Sequence, residues 1–254
     1  MNVVVCTKHV PNPQGTPTLG PDHLLVRSGV EGALDPGDEY GLELALQLVE
    51  RHGGEVTAVS MGPDDALAAV QRALAMGAHR GVLVTDDVLR GADALVTARV
   101  LAAAIQRQPA ELVIAGVEST DGYTGTVPVT VAALLGHPSV TAVRALELEG
   151  DALRVERQTE SGYDVYACPT PALITVTAGA TEPRYPSLKG IMQAKQKPLD
   201  RLTAADLGLA PEDLRSSQTV VEVVDAPPPP GGEIVEGDTA VGRIADLLAD
   251  AGAI

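Results

Sequence analysis

The chain has 254 residues, a formal net charge of −16 and 45% hydrophobic residues, with no Trp, no Phe and only five Tyr. This length suits one large α/β domain or two small ones, with enough surface to bury in a core. The acidic balance excludes nucleic acid as the main partner, because phosphate backbones need a basic surface, and the scarcity of aromatic rings excludes stacking platforms for single-stranded bases.

The first half of the chain alternates between apolar runs typical of buried strands and amphipathic segments typical of helices. A strand buried on both faces is predicted at 2–6, and a Pro/Gly-rich loop follows it to about Leu34. Asp35-Pro36 then predicts a helix start, with Asp as N-cap and Pro at the first helical position. Further strands are predicted at 55–61, 81–85, 111–115 and 139–143, and further helices from Pro63 and at 94–105 and 126–135. This alternation, at intervals of roughly 30 residues, predicts a doubly wound parallel sheet.

After Ala145 the spacing of the apolar runs changes. Short strands at 145–148, 153–158, 164–168 and 172–177 are predicted to add antiparallel strands at one edge of the sheet. The remaining predicted features are a short helical patch near 203–207, an isolated strand at 219–224, a stiff Pro run with a Gly hinge at 227–232, and an amphipathic helix at about 238–249. We therefore predict an α/β fold with a C-terminal arm.

The N-terminus and the two cysteines indicate the cellular compartment of the protein. The apolar run at 2–6 is too short for a signal peptide and has no basic region before it, and no stretch approaches the length of a membrane span. Cys6 and Cys168 both lie in strand-like runs, and we expect two buried, reduced thiols, since a disulfide or metal site would need more ligands at closer spacing. The sequence predicts a cytoplasmic protein, and its Arg- and Ala-rich composition is typical of bacteria.

Motifs for catalysis are missing from the sequence. There is no Walker phosphate loop, no dinucleotide-binding glycine motif, no Ser-Gly-Gly phosphate loop after the first strand, no nucleophile elbow and no zinc-protease motif. The five His are scattered without ligand spacing. The sequence therefore predicts neither catalytic residues nor a metal site.

The segment after the predicted strand at 111–115 is rich in Gly and Thr and leads into a helix. In a doubly wound sheet, ligands bind beyond the carboxyl ends of the strands, and a helix N-terminus offers N–H donors to a phosphate. Residues 116–126 are therefore a candidate phosphate-binding loop. An ordinary loop with a Ser, Thr or Asp cap explains the same pattern, and spacing alone leaves both interpretations open.

The segment 182–198 is basic in an otherwise acidic chain. Three of the four Lys fall here, and Leu188, Ile191 and Met192 are interleaved with them. A run of charges is usually a solvated surface, but apolar residues within a polar rim are typical of a docking surface. We favour docking of a partner protein.

The same segment carries a resemblance to a known family. The run Pro183-Arg-Tyr-Pro-Ser-Leu-Lys-Gly-Ile-Met-Gln-Ala-Lys195 resembles the signature of the beta (small) subunit of electron-transfer flavoproteins. Lys8, Asp35-Pro36-x-Asp38-Glu39, Ser60–Pro63 and Ala73–Ala78 are similar to the family as well, so that the resemblance spans nearly the whole chain.

The resemblance implies a Rossmann-like, adenine-nucleotide-binding domain at 1–225, including a recognition loop at 178–198, and an arm at 226–254 that packs on a partner. It implies a heterodimer with an alpha subunit that holds the redox-active FAD, while this chain covers that flavin and binds a structural AMP. Acyl-CoA dehydrogenases would donate electrons and a membrane quinone oxidoreductase would accept them. The residues that the resemblance assigns to AMP are Cys6, Asp35, Pro36, Gly37, Asp38, Met61, Ala115, Gly116, Val117, Glu118, Ser119, Thr120, Asp121, Gly122, Tyr123, Thr124, Gly125 and Thr126. The residues assigned to docking are Arg184, Tyr185, Leu188, Lys189, Ile191, Met192 and Lys195, with Leu188 as the anchor.

One departure from the family pattern concerns the phosphate contacts. Many members have a Gln-Thr/Val-Gly segment where this chain reads Thr126-Val127-Pro128, and Pro128 has no N–H to donate. The alternative is a flavin-bifurcating relative, in which a second FAD occupies the AMP site. A nucleotide-dependent enzyme such as an ATP pyrophosphatase, and a stand-alone nucleotide-binding stress protein, are rivals from other classes. The missing Ser-Gly-Gly loop counts against the first, and the basic, leucine-bearing segment counts against the second.

Overall fold

The computed structural model describes residues 1–12, 15–27, 29–224, 226–227, 231–232 and 234–254. These residues form two compact units, 1–220 and 221–254. Part of the predicted Pro run, at 228–230, lies outside the described residues.

Unit 1 is built around a large sheet whose central strands are parallel. The strands of this parallel part are β1 (Val3–Cys6), β4 (Val56–Met61), β5 (Arg80–Val84), β6 (Leu112–Gly116), β7 (Ser139–Glu149), β10 (Ala172–Val176) and β11 (Leu199–Leu202). Their order across the sheet is β11-β5-β4-β1-β6-β10-β7. The chain runs outward from β1 to β4 and β5 and then returns to β6 on the other side of β1. The switch point of this doubly wound sheet therefore lies between β1 and β6.

Helices cover both faces of the sheet, as the alternating pattern predicts. Their bounds are α1 (Pro36–His52), α2 (Leu67–Met76), α3 (Ala94–Gln106) and α4 (Val127–Leu135), with 3-10 turns at Asp64–Ala66 and Asp87–Leu89. The apolar residues of α1 and α2 form one core with Val3 and Val5, and those of α3 and α4 form another with Val4. Side chains of β1 alternate between these two cores, which is why that strand is apolar throughout.

The start of α1 confirms the predicted cap. Asp35 is the N-cap residue and its side chain accepts a hydrogen bond from the Gly37 N–H, while Pro36 is the first helical residue. Pro at this position loses no intrahelical hydrogen bond and has the helical φ already fixed.

Antiparallel strands extend one edge of the sheet. β8 (Ala152–Thr159) pairs with β7, and β9 (Gly162–Pro169) pairs with β8. The mostly parallel α/β fold with antiparallel edge strands is confirmed. The predicted strands at 139–143 and 145–148 are a single strand, β7, interrupted by an irregularity between Val143 and Ala145.

The placement of the strand predicted at 172–177 is wrong. This strand, β10, is not an antiparallel edge strand but lies between β6 and β7 and is parallel to both. All five of its residues are buried. A largely apolar strand that is buried on both faces suits a sheet interior, but its position next to β9 in the sequence does not indicate that placement.

Other local features differ from the sequence-based expectations. The structure adds a small antiparallel pair of strands, β2 (His9–Pro11) with β3 (Gly32–Leu34). It also adds a short helix, α5 (Leu188–Ala194), inside the basic segment at 182–198. Residues 203–207 form turns rather than a helix, and 219–224 are irregular rather than a strand. The apolar run at 219–224 is exposed, so no core stabilises it as a strand.

Unit 2 contains the expected amphipathic helix, α6 (Ala240–Asp250), after a 3-10 turn at Gly237–Thr239. Its apolar residues Val241, Ile244, Leu247 and Leu248 have exposed side chains. Within the described parts of the chain, none of the helices has the length and apolar character needed to cross a membrane.

Candidate functional site

The candidate nucleotide site lies at the carboxyl ends of β1 and β6, where the direction of winding reverses. Three segments meet there: the residues after β1, the loop after β6, and the first turn of α1. Ligands of doubly wound sheets bind at this position because the loops on either side of the switch point diverge and leave a crevice.

Asp35 joins the first turn of α1 to the loop after β6. It is fully buried, and while one carboxylate oxygen caps α1, the other accepts hydrogen bonds from the backbone N–H and the hydroxyl of Thr120, at 2.7 and 2.8 Å. One carboxylate therefore caps the helix and fixes the conformation of the loop.

Asp38 connects the same turn to both strands. Its Oδ2 accepts a hydrogen bond from the backbone N–H of Lys8, at 2.8 Å, and its Oδ1 accepts one from the backbone N–H of Gly116, at 3.3 Å. Part of the residue is accessible, but its carboxyl group is enclosed, and burial, followed by the charge of Asp35, raises its pKa to about 8. A Cβ on Gly116 would lie 2.9 Å from Asp38 Oδ1, so only glycine allows this approach. Burial, followed by the charge of Asp38, raises the pKa of the Cys6 thiol to about 12.

Asp121 gathers two positive charges beside the loop. Its carboxylate accepts from Lys8 Nζ at 2.6 Å and from Arg27 Nη2 at 2.5 Å, and Lys8 Nζ also donates to Ser119 Oγ at 3.0 Å. Burial favours the neutral acid, but the two cations outweigh it and lower the pKa of Asp121. An ionised Asp121 therefore holds the ammonium and guanidinium groups beside the loop after β6.

The second half of the loop is more open. Tyr123 is exposed and has a φ of 47°, in the left-handed region, and Gly125 has a φ of 60°. Thr126 is the N-cap residue of α4, but its side chain makes no capping hydrogen bond. Pro128 occupies the first turn of α4, so this helix start has one N–H donor fewer for an anion.

The structure thus brings together most of the residues that the sequence assigns to this site. Hydrogen bonds join Asp35, Gly37, Asp38, Gly116 and Thr120, and Lys8 links Ser119 to Asp121. Met61 lies at the end of β4, the neighbour of β1 in the sheet. Arg27 was missed, because it comes from the long loop before β3 and no spacing in the sequence relates it to Asp121.

The docking segment, residues 178–198, presents a different kind of surface. Tyr185, Leu188, Ile191 and Met192 are exposed, with Leu188 at 76% and Met192 at 66%. Lys189 and Lys195 are exposed as well. Arg184, also predicted to dock, instead has its guanidinium against α1, where it donates to the carboxylates of Glu43 and Glu50.

Within the residues that the structure describes, no group of three His, Cys, Asp or Glu side chains could hold a metal ion. Both described cysteines are free. The described site therefore consists of carboxylates, two cations and backbone donors.

Comparison with known proteins points to one family. The family model of the electron transfer flavoprotein domain matches residues 22–207. The chain is similar to proteins named electron transfer flavoprotein subunit beta. The one from Thermoanaerobacterium thermosaccharolyticum is 39% identical over 242 residues, which cover 94% of this chain and 93% of the relative. The relative from Clostridium acetobutylicum is 38% identical, and the match covers 89% of this chain and 93% of the relative. The relative from Mycobacterium tuberculosis is 37% identical, and the match covers 92% of each chain.

Proposed function

The chain belongs to the electron transfer flavoprotein family as a beta subunit, and from that premise we propose that it carries electrons between flavoenzymes as half of a heterodimer. In this proposal an alpha subunit holds the redox-active FAD, and this chain covers the flavin, binds a structural AMP and docks the electron donors. The donors are flavin dehydrogenases of the acyl-CoA dehydrogenase type, and a membrane quinone oxidoreductase accepts the electrons.

The observation that carries the proposal is the junction of three segments at the switch point of the sheet. Hydrogen bonds from Thr120 to Asp35, and from Lys8 and Gly116 to Asp38, connect the loop after β6 to the first turn of α1 and to the end of β1. A loop that is already ordered loses less conformational entropy on binding a nucleotide.

The residues at this junction fit an adenine nucleotide in the charge that they offer. The cations of Lys8 and Arg27, which lie beside the loop after β6, suit the charge of a phosphate. Pro128 removes one N–H donor from the start of α4. The loss of this donor is the reason for the alternative, in which a second FAD takes the place of AMP.

The redox chemistry belongs to FAD, which supplies one-electron transfer when it is bound in the heterodimer. This chain contributes binding and orientation and no catalytic side chain of its own. Leu188, Ile191 and Met192 would enter a surface of the donor, and the exposed apolar residues of α6 would pack on the alpha subunit. The two free thiols suit a reducing compartment, and we place the heterodimer in the bacterial cytoplasm.

The test is co-expression with the alpha subunit encoded in the same genome, followed by purification through a tag on the alpha subunit. FAD and AMP are released by acid and counted per heterodimer. We expect this chain to co-purify with one FAD and one AMP. Two FAD per heterodimer would replace the AMP proposal with the bifurcating alternative, and failure to co-purify would overturn both.

A further inference from the structure

The docking segment follows an unusual path across the sheet. It leaves β10, near the centre, and ends at β11, the edge strand beyond β5. Five strand spacings separate β10 from β11, a distance of roughly 24 Å. The segment bridges this distance over the face covered by α1 and α2, and contacts with both helices hold it.

The first attachment is made by Arg184 on α1. Its Nε and Nη2 donate to the two carboxylate oxygens of Glu43, at 2.7 and 3.0 Å, and its backbone N–H donates to Glu43 Oε2 at 3.2 Å. Nη1 and Nη2 also donate to the carboxylate of Glu50, about two helical turns further along α1. Gln47, between them, donates to both Glu43 and Thr181.

Burial explains why this attachment is selective for arginine. The Glu43 side chain is only 5% exposed, and although burial favours the neutral acid, the hydrogen bonds from Arg184 and Gln47 outweigh it and lower the pKa of Glu43. A planar guanidinium can bind one carboxylate in bidentate fashion and still reach a second one. Lysine at this position has a single ammonium nitrogen and could form only some of the hydrogen bonds to Glu43 and Glu50.

The second attachment lies at the carboxyl end of α2. A Cβ on Gly190 would lie 2.4 Å from the backbone oxygen of Ala75, so α5 packs directly on the backbone of α2. Lys197 Nζ donates to the backbone oxygens of Leu74 and Ala78, at 2.8 and 2.7 Å. Burial lowers the pKa of Lys197, in keeping with an ammonium that points into the protein rather than into solvent.

We propose that Arg184 and Lys197 are positioning residues, which hold the docking segment in one conformation so that Leu188, Ile191 and Met192 are presented to the electron donor already ordered. The inference rests on the proposed docking function. It assigns the basic residues of the segment two different roles: Arg184 and Lys197 bind within the chain, whereas Lys189 and Lys195 remain exposed toward a partner. Preorganisation of this kind increases affinity because less side-chain and backbone entropy is lost on docking.

The first test measures order in the segment directly, by cleavage with a lysine-specific protease. The chain has four Lys, and three of them lie in the docking segment, with Pro198 protecting the bond after Lys197. In the heterodimer we expect Arg184→Ala to raise the rate of cleavage after Lys189 and Lys195 on the order of tenfold, because local opening becomes more frequent.

A matched control removes an ion pair between the same two helices without touching the segment. Arg72, on α2, donates to Glu39, on α1, at 3.1 Å. We expect Arg72→Ala to leave the cleavage rates at wild-type level. Lys197→Met is the second variant and removes the other attachment, so that the inference remains testable if Arg184→Ala fails to fold.

The second test measures electron acceptance from an acyl-CoA dehydrogenase. We expect Arg184→Ala to raise the KM for the heterodimer roughly five- to tenfold with kcat unchanged, since docking weakens but the flavin does not change. The effects of Arg184→Ala and Leu188→Ala combined should be smaller than the product of the single effects, because Arg184 acts through the presentation of Leu188.

The outcomes separate this inference from the function on which it rests. Unchanged cleavage in both Arg184→Ala and Lys197→Met, or faster cleavage with an unchanged KM, would overturn the positioning role and leave the proposed function intact. A wild-type heterodimer that accepts no electrons from any flavin dehydrogenase would overturn the proposed function, while the protease result would still report whether the segment is held.

Discussion

Asp35 and Thr120 lie 85 residues apart, and one carboxylate oxygen of Asp35 accepts both the backbone N–H and the hydroxyl of Thr120. The first turn of α1 and the loop after β6 are therefore a single unit, although neither segment contains a recognisable nucleotide-binding motif. These two hydrogen bonds, together with the one from the Gly116 N–H to Asp38, connect the end of β6 and the loop after it to α1.

Replacing Asp35 tests this dependence. Asp35→Ala should destabilise the chain by about 1–3 kcal/mol through loss of the helix cap and of the partner for Thr120, and AMP should be lost from the purified heterodimer. Asp93→Ala is a matched control: Asp93 caps α3, and it also accepts from the N–H and hydroxyl of Ser217, away from the site. Nucleotide content and Tm are measured on the same preparations of both variants. Equal AMP content in Asp35→Ala and Asp93→Ala would contradict the prediction.

The buried carboxyl of Asp38 predicts a pH dependence of stability. Its pKa of about 8 in the folded protein lies above the value of about 3.9 in unfolded chains. Between these pH values the folded state binds one proton more than the unfolded state, so its contribution to stability is complete below about pH 4 and is lost as the pH rises to about 8.

Thermal melting at pH 5, 6, 7 and 8 measures this effect. The contribution lost over this range is on the order of 2–4 kcal/mol, or roughly 5–10 °C in Tm. Asp38→Asn should flatten the decline in Tm, whereas Asp151→Asn, in the exposed turn between β7 and β8, should not. Parallel declines in Asp38→Asn and the wild type would show that another group is responsible.

Leu188 is the residue with which the proposed docking is most directly tested. Leu188→Ala removes an exposed apolar side chain, and truncating a central docking residue costs about 1–2 kcal/mol, so that the KM for electron acceptance should rise on the order of tenfold. The flavin content should not change. Val88→Ala, which shortens another exposed apolar side chain far along the sequence, is the control. Identical electron-transfer rates in Leu188→Ala and wild type would contradict docking through this residue.

The C-terminal helix is predicted to pack on the alpha subunit. Deleting 227–254 should weaken the heterodimer, and so should Ile244→Asp combined with Leu248→Asp, because the apolar face of α6 would lose its burial. Asp246→Ala, on the same helix, is the matched control. Gel filtration at micromolar and nanomolar concentration measures the dissociation. A heterodimer that survives the deletion unchanged would favour packing of α6 on its own domain, the alternative that the sequence leaves open.

Much of the fold follows from the sequence because buried parallel strands are read as apolar runs and helix caps have local signals. β1, β6 and the Asp35-Pro36 helix start are examples. The position of β10 could not be predicted, since strand order depends on tertiary packing. α5 has seven residues with an internal Gly190 and little periodicity, and β11 reads Leu-Asp-Arg-Leu, with two charged residues in place of an apolar run, so both were missed.

The candidate site was likewise predicted in part from the sequence and missed in part. The loop after β6 was identified as a candidate from its Gly- and Thr-rich pattern, and the acidic residues at 35–38 were assigned to the site by the resemblance. The hydrogen bonds between them connect these two segments. Arg27 and the pairing of Arg184 with Glu43 had no signal at fixed spacing, because each joins segments separated by many residues. Charged pairs that link distant segments become visible only when the backbone path is known.

The insertion of β10 between β6 and β7 has a consequence for how the chain acquires its structure during synthesis. Until residues 172–176 emerge from the ribosome, β6 and β7 both lack the strand that pairs with each of them in the finished sheet. Unpaired parallel edges of this kind are prone to association with other chains. Premature termination between Glu149 and Ala172 should therefore yield aggregated fragments, and the nascent chain has most need of chaperones in the interval between the completion of β7 and the arrival of β10.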